Sequence, residues 1–239
     1  MSLSSSSFLI AVFEFVLLIF SLSVHECAHA WTASMLGDQT ARLQGRITLN
    51  PMYHVDPIGT LLFPALMIFG PFIGLSMFGG MLVGWAKPTP VITRNFRKIV
   101  RDDNLTTLAG PVSNLLIVFT AFLVLVVISV AVPDGRLMVL SAFRGMVSLG
   151  QGSSLQALVL LCILAIEINL SLCFFNLLPI PPLDGSRILR NMLPYNAVQV
   201  YDRIGGWLGF ILMILVGRVV LSALLGPSLG LVYLVLSLV

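Results

Sequence analysis

The chain has 239 residues, 58% hydrophobic and 10% charged, with a mean hydropathy of +1.03. A soluble domain carries about 25% charged residues, so this composition excludes a water-soluble globule and describes a polytopic membrane protein. The net charge of +3 implies no nucleic-acid partner; the cations lie in loops, beside anionic lipid.

Met1–Ser7 has no basic residue, and the apolar run after it is too long for a signal-peptide core, so it is expected to be retained as the first span. Phe8–Met35 is long enough to cross about 30 Å of hydrocarbon. Inside it stands His25-Glu26-Cys27-Ala28-His29, a His-Glu-x-x-His pattern. Residues four apart share one face of a helix, so His25 and His29 can bind one zinc through two imidazoles. Glu26 is near enough to take a proton from a metal-bound water. Ionisable groups in a span are costly and mark function by default. A chance match, or two histidines bonded to nearby carbonyls, is the bland alternative.

Gly37-Asp38 predicts a helix stop. Thr40–Leu49 alternates loosely and predicts a short strand, bounded by turns at Asn50-Pro51 and Asp56-Pro57. Ile58–Val83 is apolar but broken by Pro64, Gly70-Pro71, Gly74 and Gly79-Gly80. Such breaks suit a segment buried in protein better than a lipid-facing helix, and suggest a re-entrant hairpin. Gly84–Val91 contains Pro88 and Pro90, which exclude a helix interior. Thr93–Asn104 is polar and predicts surface.

Leu105–Val132 is the next span, carrying Gly110-Pro111-Val112-Ser113-Asn114 near its start. Gly110, Pro111 and Asn114 suit helix entry and close packing, with Asn114 also a candidate to bond across to the metal helix. Pro133–Gly152 reads as a loop with a short interfacial helix. Ser153–Leu178 is a further span, ending in the proline-rich run Asn176–Gly185, and Ser186–Leu193 predicts a short helix. Ile204–Leu225 is the last clear span; Gly226-Pro227 breaks it, and Ser228–Val239 is too short to cross. Cys27, Cys162 and Cys173 lie in apolar stretches and read as buried thiols.

A catalytic zinc site keeps three protein ligands and an open position. Candidates for the third are Asp184, Glu14, Glu167 and His54. Glu14 lies three turns from His25, about 16 Å along the helix, too far to share a metal. Asp184 follows an unwound break where a carboxylate can turn inward, and is preferred. Sharing a metal then requires the spans carrying His25 and Asp184 to run in parallel, with one crossing between them. Ile58–Val83 should therefore not traverse. Counting Lys and Arg in the loops supports this: ten lie on one side and two (Arg136, Arg144) on the other, against eight to four if it did traverse. The metal then faces the cytoplasm.

Together His25-Glu26-Cys27-Ala28-His29, Gly45–Pro51, His54–Thr60, Gly84-Trp85-Ala86-Lys87-Pro88, Gly110–Asn114 and Asn176–Gly185 resemble the site-2 protease family of intramembrane zinc metalloproteases, in its short prokaryotic branch without a PDZ or CBS domain. The resemblance covers roughly residues 25–190. It implies one Zn2+ per chain held by His25, His29 and Asp184, Glu26 as catalytic acid/base, and Asn176 as a holder of the substrate carbonyl or oxyanion. Asn176 also reads as a helix C-cap before Pro179. The run Phe69–Met81 is longer than the family pattern suggests.

The resulting expectation is an all-α polytopic protein with four clear spans, a re-entrant hairpin, a short membrane-associated β element and a possible extra C-terminal segment. It forms one protease domain over 1–239, with a core at about 8–193 and C-terminal span(s) over 204–239. The expected activity is hydrolysis of transmembrane or membrane-tethered peptides in the cell (inner) membrane. Thr40–Leu49 or Gly84–Val91 would offer an edge to an extended substrate or form a lid, His54 would be structural or a regulatory metal contact, and Trp85 an interfacial anchor. A metal-transport protein is the alternative, though neither paired carboxylates across spans nor an inverted repeat is visible.

Overall fold

The computed structural model describes residues 5–75, 85–146 and 153–239. Among them, α1 runs Ser5–Leu36 and α2 is the single turn Thr40–Leu43. A π-helical turn at Pro57–Leu62 leads into α3, Phe63–Phe69. Then follow α4 (Ile99–Ala131), α5 (Gly135–Phe143), α6 (Ser154–Asn176), α7 (Asp184–Met192), α8 (Tyr195–Tyr201) and α9 (Trp207–Leu238). Helices α1, α4, α6 and α9 are long and apolar enough to cross a membrane.

Helix α6 is the central one. It is the most buried of the four and packs against α1, α4 and α9. Leu125 and Ile128 of α4, Val139 of α5, Val159 and Ile166 of α6 and Leu236 of α9 form its main core. The outer faces leave Val16, Phe20, Phe119, Val127, Leu215 and Val219 exposed, which in a membrane is contact with lipid. Between spans a polar pair is tied off: Asn169 Nδ2 donates to Ser21 Oγ at 2.9 Å and to Ala165 O at 2.8 Å.

Cross-helix contacts fix the directions. His25 of α1 meets Asn114 of α4, and His29 meets Thr106. As α1 advances, α4 recedes, so the two are antiparallel. Ser21 meets Asn169, and further along both helices Glu26 and Asn176 line one cavity, so α1 and α6 are parallel. One net crossing separates them, as the ligand argument required.

The helical run Pro57–Ile73 is shorter than the four spans. Trp85 N donates to Gly59 O (3.2 Å), Lys87 N to His54 O (2.8 Å), and Thr60 Oγ1 to Trp85 O (2.7 Å). The chain is therefore back beside its point of departure. The Gly79-Gly80 break and the end of the expected hairpin fall in residues 76–84, outside the described residues.

Two expectations are corrected. Thr40–Leu49 is not a strand, and the described residues contain none. Asp38 Oδ1 accepts from Thr40 N (3.1 Å) and Oγ1 (2.5 Å), starting a helical turn. Gly45, at φ +70°, then reverses the chain, and Arg46 N returns to Ala41 O. The apparent alternation did not report a buried face, because Leu43 and Leu49 are exposed. At the other end, α9 continues through Pro227. In hydrocarbon, one missing N–H costs less than the full set of unpaired groups at a helix end. The continued helix reaches α5, where Arg144 donates to Tyr233 OH and Arg136 to Ser237 O.

Asp38 joins the end of α1 to the segment before α4: Asn95 Nδ2 donates to Oδ1 (2.8 Å) and Ile92 N to Oδ2 (2.7 Å). Burial alone would raise its carboxyl, but the hydrogen bonds from Thr40, Asn95 and Ile92 hold it below its ordinary value. A lowered native value stabilises the fold fully above about pH 4, and the gain is lost as pH falls through that native value. Unfolding midpoints in detergent, measured from neutral pH downward, should show Asp38→Asn less stable at pH 7 by about 1–3 kcal/mol, with a shallower acid decline than wild type. Parallel declines would contradict this role.

Candidate metal centre

His25 and His29 lie one turn apart on α1, on the face toward α4. His29 Nδ1 is 2.7 Å from Thr106 O. A carbonyl only accepts, so Nδ1 carries the proton and Nε2 presents its lone pair. His25 Nδ1 likewise donates to Asn114 Oδ1 at 2.8 Å. Both free nitrogens face the same point, 3.0 Å apart.

Asp184 completes the group. Its Oδ2 is 3.1 Å from His25 Nε2 and 3.4 Å from His29 Nε2. With bonds of about 2.0–2.1 Å, the ligand atoms of a tetrahedral zinc lie about 3.3 Å apart. The three observed spacings bracket that edge. Without a cation, three converging lone pairs would repel. Two neutral imidazoles and one carboxylate are also the donor types zinc takes, so the residues fit the metal. Among the described residues this is the one group of His, Cys, Asp and Glu with its ligand atoms so gathered. Glu14, Glu167, His54 and Cys27 stand outside it.

Asp184 is the first residue of α7, where a carboxylate suits the helix dipole. The helix is held in place further along: Arg187 donates to Asp103 Oδ1 (2.6 Å), and Asn191 Nδ2 to Asp103 Oδ2 and Asn104 Oδ1 (2.7 Å each). Gly185 lets the turn pack against the end of α6, since a Cβ there would lie 2.1 Å from Leu177 O. From α4, Gly110 gives the imidazoles room. A Cβ on it would lie 2.4 Å from His29 Nε2 and 2.5 Å from His25 Nε2.

Glu26 turns to the other wall of the site. Its Oε2 accepts from Thr89 N at 2.9 Å and Thr89 Oγ1 at 2.8 Å. Asn176, the last residue of α6, currently donates back to Leu172 O at 3.0 Å. Glu26, Asn176 and the three-residue group all line one cavity of about 250 Å³, whose walls also include Trp85, Pro88, Phe175 and Pro182.

The segment from Trp85 has two unlike edges. Trp85, Lys87 and Thr89 spend their N–H groups inward, on Gly59, His54 and Glu26. The alternate residues are Ala86, Pro88 and Pro90, and two of these have no N–H. An outer partner strand would meet mainly acceptors. His54 sits under this segment, with Nε2 donating to Thr48 O at 2.8 Å and Nδ1 buried without a partner. Sequence reasoning did not identify Thr89, Thr106 or the Asp103–Arg187 pair. Thr106 acts through its backbone, which leaves no side-chain signal.

If this cluster holds a metal, Gly110→Ala should lose it while the helices still assemble. Asn114→Ala should weaken metal affinity about 10–100-fold, because the imidazole loses the partner that fixes its tautomer. Metal titration of the purified variants measures both; unchanged affinity in Gly110→Ala would contradict the packing described.

The model for peptidase family M50 matches residues 13–216. The chain is 40% identical over 179 residues to "Putative zinc metalloprotease YwhC" of Bacillus subtilis, covering 75% of this chain and 68% of that protein. It is 31% identical over 99 residues to "Putative zinc metalloprotease Rip2" of Mycolicibacterium smegmatis, covering 41% and 34%. No solved structure matches at a significant level. With its His-Glu-x-x-His helix and four apolar spans, the chain belongs to peptidase family M50, the site-2 protease family of intramembrane zinc metalloproteases.

Proposed function

We propose that His25, His29 and Asp184 hold the zinc of this protease, that Glu26 is its acid/base, and that Asn176 contacts the substrate carbonyl. The observation carrying this reading is the convergence of two imidazole lone pairs and one carboxylate oxygen within 3.0–3.4 Å of one another. When bound, zinc supplies Lewis acidity, bringing the pKa of a water toward neutrality and polarising a carbonyl.

The chain's own groups do the rest. Glu26 Oε2 is occupied by Thr89, while Oε1 has no hydrogen-bond donor among the described residues. Oε1 takes a proton from the attacking water as its oxygen bonds to the scissile carbon. Glu26 then returns that proton to the leaving amine as the C–N bond breaks. Asn176 Nδ2, released from Leu172 O, donates to the oxyanion. Leu22, Phe175 and Pro182 keep the surroundings apolar, which strengthens these charge interactions.

The substrate class is a transmembrane or membrane-tethered peptide. Its scissile amide must leave any helix before reaching the cavity, because helical hydrogen bonds shield it. The reading assigns the whole chain to one protease unit in the cell membrane, with the metal toward the cytoplasm. In support, the loops bearing most of the cations gather at the metal end: Arg46 reaches Tyr53 O and Lys87 O, and Arg187 reaches Asp103.

In proteoliposomes carrying a model transmembrane substrate, Glu26→Gln should lower cleavage by at least about 10²–10⁴-fold and retain zinc. His25→Ala and Asp184→Ala should lose both zinc and cleavage. Cleavage by Glu26→Gln at the wild-type rate would overturn the assignment.

A further inference from the structure

We infer that Thr89 is a positioning residue for the reaction, holding the Glu26 carboxylate in its working orientation. The inference rests on Glu26 being the acid/base. The two residues are 63 apart in sequence and make three close polar contacts. Thr89 N and Oγ1 both donate to Oε2, at 2.9 and 2.8 Å, and Oγ1 lies 3.1 Å from Glu26 O. One hydroxyl hydrogen serves one acceptor at a time; the carboxylate is the nearer, at 2.8 Å against 3.1 Å for the carbonyl, so the amide and the hydroxyl together hold Oε2.

The arrangement separates the two carboxylate oxygens by task. Oε2 is held by the backbone amide and the hydroxyl; Oε1 has no donor among the described residues. A free Glu side chain samples several rotamers, and a base that samples them spends little time aimed at the reacting water. Thr89 removes that freedom. Its own place is set by the flanking prolines, Pro88 and Pro90, and by Lys87 N bonding to His54 O at 2.8 Å. Glu26 is thereby anchored to the segment that walls the cavity from Trp85 to Val91. A substrate strand that shifts this wall shifts the base with it.

Thr89→Val keeps the backbone amide and the side-chain shape but removes the hydroxyl. Thr89→Ser keeps the hydroxyl. Wild type, Thr89→Val, Thr89→Ser and Glu26→Gln should be compared for zinc content, kcat and KM on a transmembrane substrate, and the Glu26 carboxylate infrared band, isolated by subtracting the Glu26→Gln spectrum. The expected result for Thr89→Val is full zinc, an unchanged KM, kcat lower by roughly 10- to 100-fold, and a shifted carboxylate band. Thr89→Ser should restore both kcat and the band. Wild-type kcat in Thr89→Val, loss of zinc in that variant, or failure of Thr89→Ser to restore kcat would each overturn the role of Thr89. Full activity in Glu26→Gln would instead overturn the acid/base reading on which it rests.

Discussion

Three lone pairs, on His25 Nε2, His29 Nε2 and Asp184 Oδ2, share a space suited to a cation. Everything around them keeps those lone pairs aimed inward. The Thr106 carbonyl and Asn114 Oδ1 each hold an Nδ1 proton, so neither ring turns its N–H toward the shared space. Gly110 clears the volume. Asp103, through Arg187 and Asn191, anchors α7 so that Asp184 meets the histidines at the right depth. Asn114 leaves its buried Nδ2 without a partner. An unmade hydrogen bond in such a place costs about 1–3 kcal/mol, so the ring orientation it secures carries a stability cost.

The same constraint shapes the bundle. Polar groups within spans are expensive unless paired. Several here are paired across helices, Ser21 with Asn169, His25 with Asn114 and His29 with Thr106, while Ser129 Oγ and Asn169 Oδ1 stay buried without partners. These contacts set register as well as satisfying donors, because a slide of one residue along α4 would break two of them together. Parallel α1 and α6 with antiparallel α4 bring His25, His29 and Asp184 to one depth, and the chain after Pro57 returns to the end it left. Its closing bonds at Gly59 and Thr60 bring Trp85 back to the metal end and deliver Thr89 to Glu26.

Much of this was legible in the residues. The spacing of His25 and His29 on an apolar helix, a carboxylate after a proline-rich break, and the distribution of Lys and Arg were enough to infer parallel spans and a non-crossing segment. Asn114 reads in the sequence as a residue of helix entry and close packing that could also bond across to α1, and that bond, to His25, is the one formed. The misses have physical reasons. At Thr40–Leu49 a loose alternation suggests a short strand, but the hydrogen bonds from Thr40 to Asp38 and the reversal at Gly45 decide the backbone there. At Pro227 a breaker rule learned in water failed, because in lipid no solvent takes the groups that a break would free. Thr89 stayed hidden because a hydroxyl between two prolines carries no periodic signal. Its role appears only when a segment 63 residues away folds against Glu26.

The central claim is that two imidazoles and a carboxylate, and no thiol, bind the metal. X-ray absorption at the zinc edge of the membrane-purified protein tests it most directly. The account predicts one zinc per chain, two imidazole nitrogens, and oxygen completing the shell, all at about 2.0–2.1 Å. A sulfur ligand at about 2.3 Å, which would bring in Cys27, or a shell with fewer than two imidazoles, would contradict it.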